Sequence, residues 1–452
     1  MTRCPGLLEL HRMAENLDPS LTIAGDSDTF ASGLCLDDDT LLGDSLSVGR
    51  LDLPEPPSSQ NPAKWFNHGL AILKKGAWSH AIEVFDQCLS TEHTDQDMIA
   101  RSYALKGYAL AKHGRVEEAI VCYKSCLEIN EESIEALSGL ACSMADMNRL
   151  DKALKYSMKA CAARPENGPL RYNLGNIYLR MNELEQAVAA YGASISLLVG
   201  LFPAWVNLAA AHAAMKEYDK ALEALDYAVV LQPDSRRAHV NRGLVLARLK
   251  RWEEASAALA KSINIAPEYA RGYIILSLVE SCRGNDIQAI SVLNTCIDRG
   301  LMLPKAYHNL GLIHSRLGNH EQALAAYMTA VQIRPEYAKA FRSMGIEHLK
   351  HQEHAEAREA FEKAIEYRPS LASAWVGLAD LARIDNDPEK CLGLLESAIS
   401  HDPLDPEINS KLVMALVENG DQQKARHQFQ ILEQQAPRKA NKIKSFVYPE
   451  EA

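Results

Sequence analysis

The segment PKAYHNLGLIHSRLGNHEQALAAYMTAVQIRPEY, residues 304–337, carries two apolar stripes separated by a glycine. Tyr307, Leu310, Gly311 and His314 recur at the three-to-four residue spacing of one helical face. Gly318 interrupts them, and Ala323, Tyr327 and Ala330 resume the spacing before Pro335 stops it. The stretch therefore reads as helix, turn, helix. The same arrangement returns every thirty-four residues from Ala100 to Lys439, ten times without insertion or deletion. A period of this length marks a solenoid, in which a two-helix unit cannot bury its own apolar face and stacks on its neighbours.

Numbering each unit from its first residue (100, 134, 168 and so on) makes the register explicit. Position 20 is small throughout: Ala81, Ala119, Ala153, Ala187, Ala221, Ala255, Ala289, Ala323, Ala357 and Ala425, with Cys391 the one departure. A larger side chain there would force the helix pair apart, at roughly 1 to 3 kcal/mol. Prolines 165, 233, 267, 335, 369, 403 and 437 fall just past the second helix, where a residue that cannot continue a helix sets its end. An eleventh unit begins at Pro62 with Trp65, Gly69, Gly76, Ala81 and Phe85, its step to the next lengthened to thirty-eight by a polar stretch around Thr91 to Asp97.

These residues resemble the tetratricopeptide repeat (TPR) family over positions 62–439. The resemblance implies an all-α right-handed superhelix whose first helices line a concave side, with protein binding rather than catalysis. The expected organisation is an acidic disordered tail over 1–61, a TPR superhelix of about eleven repeats over 62–439 and a carboxy-terminal extension over 440–452.

Positions 2, 6, 9 and 13 of each first helix cluster on one side at 100° per residue, roughly opposite the packed stripe. Position 6 holds Asn173, Asn207, Asn241 and Asn309. An amide both donates and accepts, so a row of asparagines can pair with the backbone of an extended peptide whatever its sequence. The row resembles the asparagine ladder in the TPR region of O-GlcNAc transferases, whose catalytic domain has no counterpart here. Asn176, Asn207 and Arg237 also fall at three of the five positions of the dicarboxylate clamp of chaperone-binding TPR domains, while Tyr172 and Asn241 stand where that clamp has lysine and arginine. Basic residues flank the row: Arg237, Arg271, Lys305 and Lys339 at position 2, and Lys112, Arg180, Arg248, Arg316 and Lys350 at position 13. A positive stripe in a chain of net charge −11 selects acidic partners.

Charge is unevenly divided. Residues 1–61 contain eleven acidic and three basic side chains, so they carry −8 of the −11. Leucines alternate there with Asp, Ser, Gly and Pro, a composition that cannot bury enough apolar surface to order itself alone. An intramolecular contact between this tail and the basic stripe is a further expectation.

Chemical motifs are absent from the sequence. It has no phosphate loop, dinucleotide fingerprint, nucleophile elbow or H-E-x-x-H helix. The histidine cluster His348, His351 and His354 is assigned to repeat packing and turn positions, so no metal, cofactor or catalytic residue is expected. The ten cysteines include no C-x-x-C pair and fit a reduced, cytoplasmic core; neither nucleic-acid binding nor membrane insertion is expected. The expected function is a scaffold or adaptor that holds an extended, acidic peptide in its groove. The alternatives are a structural subunit of a larger assembly or the targeting subunit of a separate enzyme.

Overall fold

The computed structural model describes residues 57, 61–91, 95–301 and 303–448, so the leader expected over 1–61 lies almost wholly outside them. The described residues contain twenty-three helices and no strand, in two compact units that divide between Ile265 and Ala266.

The amino-terminal unit is six helical hairpins: α1 (Pro62–Lys74), α2 (Trp78–Ser90), α3 (Gln96–Lys112), α4 (Val116–Ile129), α5 (Ile134–Asp146), α6 (Leu150–Ala163), α7 (Gly168–Arg180), α8 (Leu184–Leu197), α9 (Phe202–Ala214), α10 (Tyr218–Leu231), α11 (Arg236–Arg248) and α12 (Trp252–Ile265). Each hairpin packs on the next along the chain. The carboxy-terminal unit is five more: α13 (Ala270–Arg283), α14 (Asp286–Asp298), α15 (Pro304–Arg316), α16 (His320–Ile333), α17 (Ala338–Lys350), α18 (His354–Tyr367), α19 (Ala372–Ile384), α20 (Pro388–His401), α21 (Pro406–Glu418) and α22 (Gln422–Gln435). A last helix, α23 (Pro437–Val447), covers the end of this stack by burying Ala440 and Val447 against Val413, Phe429 and Leu432. Pro437 thus ends α22 and also opens α23, where its missing N–H costs nothing.

Two features of the sequence explain why these segments form hairpins. Position 15 is left-handed in all ten regular repeats, with φ between 56° and 89°, and this reverses the chain. Four of these residues are glycine (Gly114, Gly284, Gly318 and Gly420), and the rest are Asn148, Asn182, Lys216, Lys250, Gln352 and Asn386. The second feature is a knob and a gap. Position 24, often aromatic, is buried against position 8 of its own repeat: a Cβ on Gly175 would lie 2.6 Å from Tyr191, one on Gly311 2.4 Å from Tyr327, and one on Gly345 2.7 Å from Phe361. Glycine at position 8 is therefore the space the ring occupies. Every alanine named at position 20 is fully buried, and Cys391 nearly so. The cysteines at position 27, Cys88, Cys126 and Cys296, are buried and carry no disulfide.

No helix among the described residues is long and apolar enough to cross a membrane.

Candidate functional site

The side of the first helix that the register leaves open proves to be open only in part. Position 6 packs on the preceding repeat: a Cβ on Gly139 would come within 2.3 Å of Tyr123, and one on Gly377 within 2.4 Å of Phe361, each the position-24 ring of the repeat before. The first helix meets its own partner on one side and the next first helix on another, so it has two buried stripes. Asn207 and Asn309 are accordingly 8% and 1% exposed, Asn176 at position 9 is buried, and Asn173 and Asn241 are half-buried. The expectation of an open face holds best at position 2, where Lys305 and Lys339 are exposed and Arg237 and Arg271 half-buried.

In the amino-terminal unit three of the candidate residues join one hydrogen-bonded network. Asn176 Oδ1 accepts from the Tyr191 hydroxyl at 2.7 Å and from Asn207 Nδ2 at 2.7 Å. Asn207 Nδ2 also reaches the Tyr172 hydroxyl at 3.3 Å, and Arg237 donates to Asn207 Oδ1 at 2.7 Å. Three successive repeats are tied through these amides. The bonding capacity of Asn207 is largely spent inside the protein, and Arg237 is half-buried. Asn173 donates to Ser138 Oγ at 3.4 Å. Burial drives the Tyr191 hydroxyl well above the usual phenol range. At position 13, Arg180 is half-buried beside Asp146; burial raises that carboxyl and the attraction of Arg180 and Lys112 opposes the rise. Arg248 is half-buried.

The carboxy-terminal unit has a different composition. Lys305 and Lys339 line a cleft of about 550 Å³ together with Arg334, Arg368, Tyr337 and Tyr367, and Glu336 is the one acid in its wall. Helices α15 and α17 begin at this cleft, and neither has a side chain capping its first turn. The positive end of each helix adds to the lysine and arginine charges. Beneath it His308 is fully buried and pushed down to about 3, by burial first and then by the charges of Lys339 and Lys305. Arg316, at position 13, is directed inward: it donates to the Ser281 carbonyl at 3.2 Å and pairs with Asp286, and burial lowers its pKa. Lys350 is bonded to Ser315 Oγ at 2.6 Å and to the buried Glu347 at 3.1 Å. Arg316 and Lys350 are thus met by acids at positions 17 and 10, while Lys305 and Lys339 at position 2 are exposed.

Arg334 and Arg368 are absent from the sequence reading although they stand thirty-four residues apart at position 31. The register displayed them, but a position in the loop between repeats carries no helical period to draw notice.

The architecture and the packed glycine–aromatic register define a helical-hairpin repeat protein. Models described as tetratricopeptide repeat match residues 303–370, residues 206–270 and 342–406, and residues 100–133 and 169–197. The chain belongs to the tetratricopeptide repeat family. It is 26% identical over 114 residues to the protein STIP1 homolog of Dictyostelium discoideum, covering 24% of this chain and 19% of that protein. It is 32% identical over 87 residues to the general transcriptional corepressor trfA of the same organism, 19% of this chain and 6% of the other. The chain thus spans about a fifth or less of the curated relatives it matches. Among solved structures, yeast Tom70 superposes over 86% of this chain and 95% of its own with a TM-score of 0.52 at 13% identity, a likeness of fold.

Proposed function

We propose that the chain is a protein-interaction scaffold or adaptor, without catalytic activity of its own, that captures an extended acidic peptide segment. The cleft lined by Lys305, Lys339, Arg334 and Arg368 carries this reading, because four cationic side chains and two uncapped helix starts face one volume of the size that binding clefts have. Arg237, placed at the same register position in the amino-terminal unit and braced by Asn207 and Asn176, is a second point of carboxylate capture. Tyr337 and Tyr367 give the cleft apolar walls that a peptide's aliphatic side chains can cover.

Titration of a fluorescein-labelled, glutamate-rich peptide by anisotropy tests the proposal, with a glutamine-for-glutamate peptide as control. The acidic peptide should bind, weaken as salt rises, and lose most of its affinity in the Lys305→Glu/Lys339→Glu variant. Equal binding of the neutral peptide, or indifference to the charge reversal, would remove acidic selectivity from the reading.

A second reading, a structural subunit of a larger assembly or the targeting subunit of a separate enzyme, is favoured by one patch formed by α9, α10 and the turn before α9. Trp205 stacks on Tyr227 at 4.6 Å between ring centres and donates to the Val199 carbonyl at 2.8 Å, and Val199, Tyr227 and Val230 are all exposed, Val230 to 77%. Contiguous apolar surface of this kind marks a docking face. Pull-down with Val230→Glu discriminates: partners lost through this change and retained by the Lys305→Glu/Lys339→Glu variant would favour the second reading.

A further inference from the structure

We propose that His320, His348 and Glu353 form a zinc site that staples two adjacent repeats of the carboxy-terminal unit. His320 opens α16 in one repeat, while His348 lies in the last turn of α17 and Glu353 in the turn that follows it, in the next. No local spacing brings them together. Stacking of the repeats does, and one ligand atom from each lies within 4.8 Å of the other two. His320 Nε2 is 3.6 Å from Glu353 Oε2, and His348 Nδ1 is 2.6 Å from the same oxygen. Ligand atoms around tetrahedral zinc lie about 3.3 Å apart, given metal–ligand bonds of about 2.0 to 2.2 Å. Small side-chain rotations suffice to reach that geometry. All three residues are half-buried, so an ion can enter and a water can complete the coordination.

The surroundings select this set and orient it. His320 Nδ1 lies 3.3 Å from Oε1 of Glu347, a carboxylate buried between the helices. Donation of Nδ1–H to that oxygen places the lone pair on Nε2, toward Glu353. A histidine ligand whose other nitrogen donates to a carboxylate is the usual support of a zinc-bound imidazole. The other oxygen of Glu347 is taken by Ser315 and Lys350, which hold the carboxylate in place. A second grouping, His320, Glu347 and His351, fits an ion less well. The His320 and His351 rings overlap, with centroids 3.7 Å apart and planes tilted by 37°, which aims their in-plane lone pairs poorly at one ion, and the Lys350 ammonium stands beside Glu347. At His348 the ion takes the place of the proton shared with Glu353; that proton moves to Nε2, and the imidazole stays neutral. Imidazole and carboxylate donors in this proportion suit zinc.

The test uses the full chain without a polyhistidine tag, stripped of metal and titrated with Co²⁺ followed by Zn²⁺. Binding should give the visible absorption of four-coordinate cobalt, displaced by zinc, together with a rise in melting temperature. His320→Asn and Glu353→Gln should each weaken uptake by roughly tenfold or more, an effect at least as large as loss of a supporting group. His351→Asn should retain the site, and circular dichroism should show all three variants folded. No saturable uptake by the wild-type chain would overturn the proposal. Retention by folded His320→Asn or Glu353→Gln would overturn it too, as would loss in His351→Asn with retention in Glu353→Gln.

Discussion

Asn207 and Asn309 occupy the same register position in the two units and live opposite lives. Asn207 meets a second asparagine, a tyrosine and an arginine, and both ends of its amide are bonded. Asn309 is sealed in the carboxy-terminal unit with neither Nδ2 nor Oδ1 bonded to any group. The register explains the difference. Position 9 of the repeat before is Asn176 in one case and Leu278 in the other, and position 24 is Tyr191 against Leu293. A repeat position fixes where a side chain goes, and the neighbouring repeats decide what it can do there.

The largest effect that could break this comparison is in the packing common to both units. Ala323→Leu should destabilise the carboxy-terminal unit by about 1 to 3 kcal/mol or more, since position 20 is fully buried. Hydrogen-exchange protection of α15 to α18 would register the loss, and unchanged protection would mean that the stacking account is wrong.

The asparagines themselves give opposite signs. Asn207→Leu removes the acceptor of Arg237 and one of the two donors to Asn176, and should cost about 1 to 3 kcal/mol. Asn309→Leu removes two unbonded polar atoms from a buried place, and should be neutral or stabilising. Thermal melts of both variants decide the matter; equal losses would show that Asn309 has a partner of comparable worth.

Acid should separate the units as well. His308 in the carboxy-terminal unit has its pKa lowered from 6.5 to about 3, so the unfolded chain binds a proton that the folded chain refuses. The stability that depends on neutral His308 is complete above about pH 6.5 and is lost as pH falls toward 3, by about 1.4 kcal/mol per pH unit. Hydrogen exchange at stepped pH should show α15 and α17 opening first, and His308→Gln should flatten that dependence. A slope that survives the substitution would assign it to other groups.

The smallest expected effect concerns the acidic leader. Deleting residues 1–61 should raise affinity for the glutamate-rich peptide a few-fold at low salt, if the tethered tail occupies the Lys305/Lys339 cleft at an effective concentration of about millimolar. Equal affinities would leave the leader without a role at that cleft.

Much of this was legible in the sequence and some was not, for physical reasons. The period, the small residue at position 20 and the aromatic at position 24 follow from the packing inside one hairpin, which thirty-four residues contain in full. The burial of position 6 depends on how one hairpin meets the next, and a helical wheel drawn for a single helix cannot show a second buried stripe. His320 escaped for the same reason: it is twenty-eight residues before His348, and stacking alone joins them. Lys305 and Lys339 were readable because position 2 stays exposed, and Arg334 and Arg368 were overlooked between helices.

The left-handed turns have an evolutionary consequence. Lys216, Lys250 and Gln352 hold a backbone conformation that costs a side-chain-bearing residue about 1 to 2 kcal/mol, and glycine far less. Each is exposed, outside the packed stripes, so its replacement by glycine adjusts one hairpin in a small step without disturbing the buried contacts. Such a lineage can drift toward sturdier or softer forms through its turns alone, accumulating tolerance for costly changes elsewhere before any of them is needed.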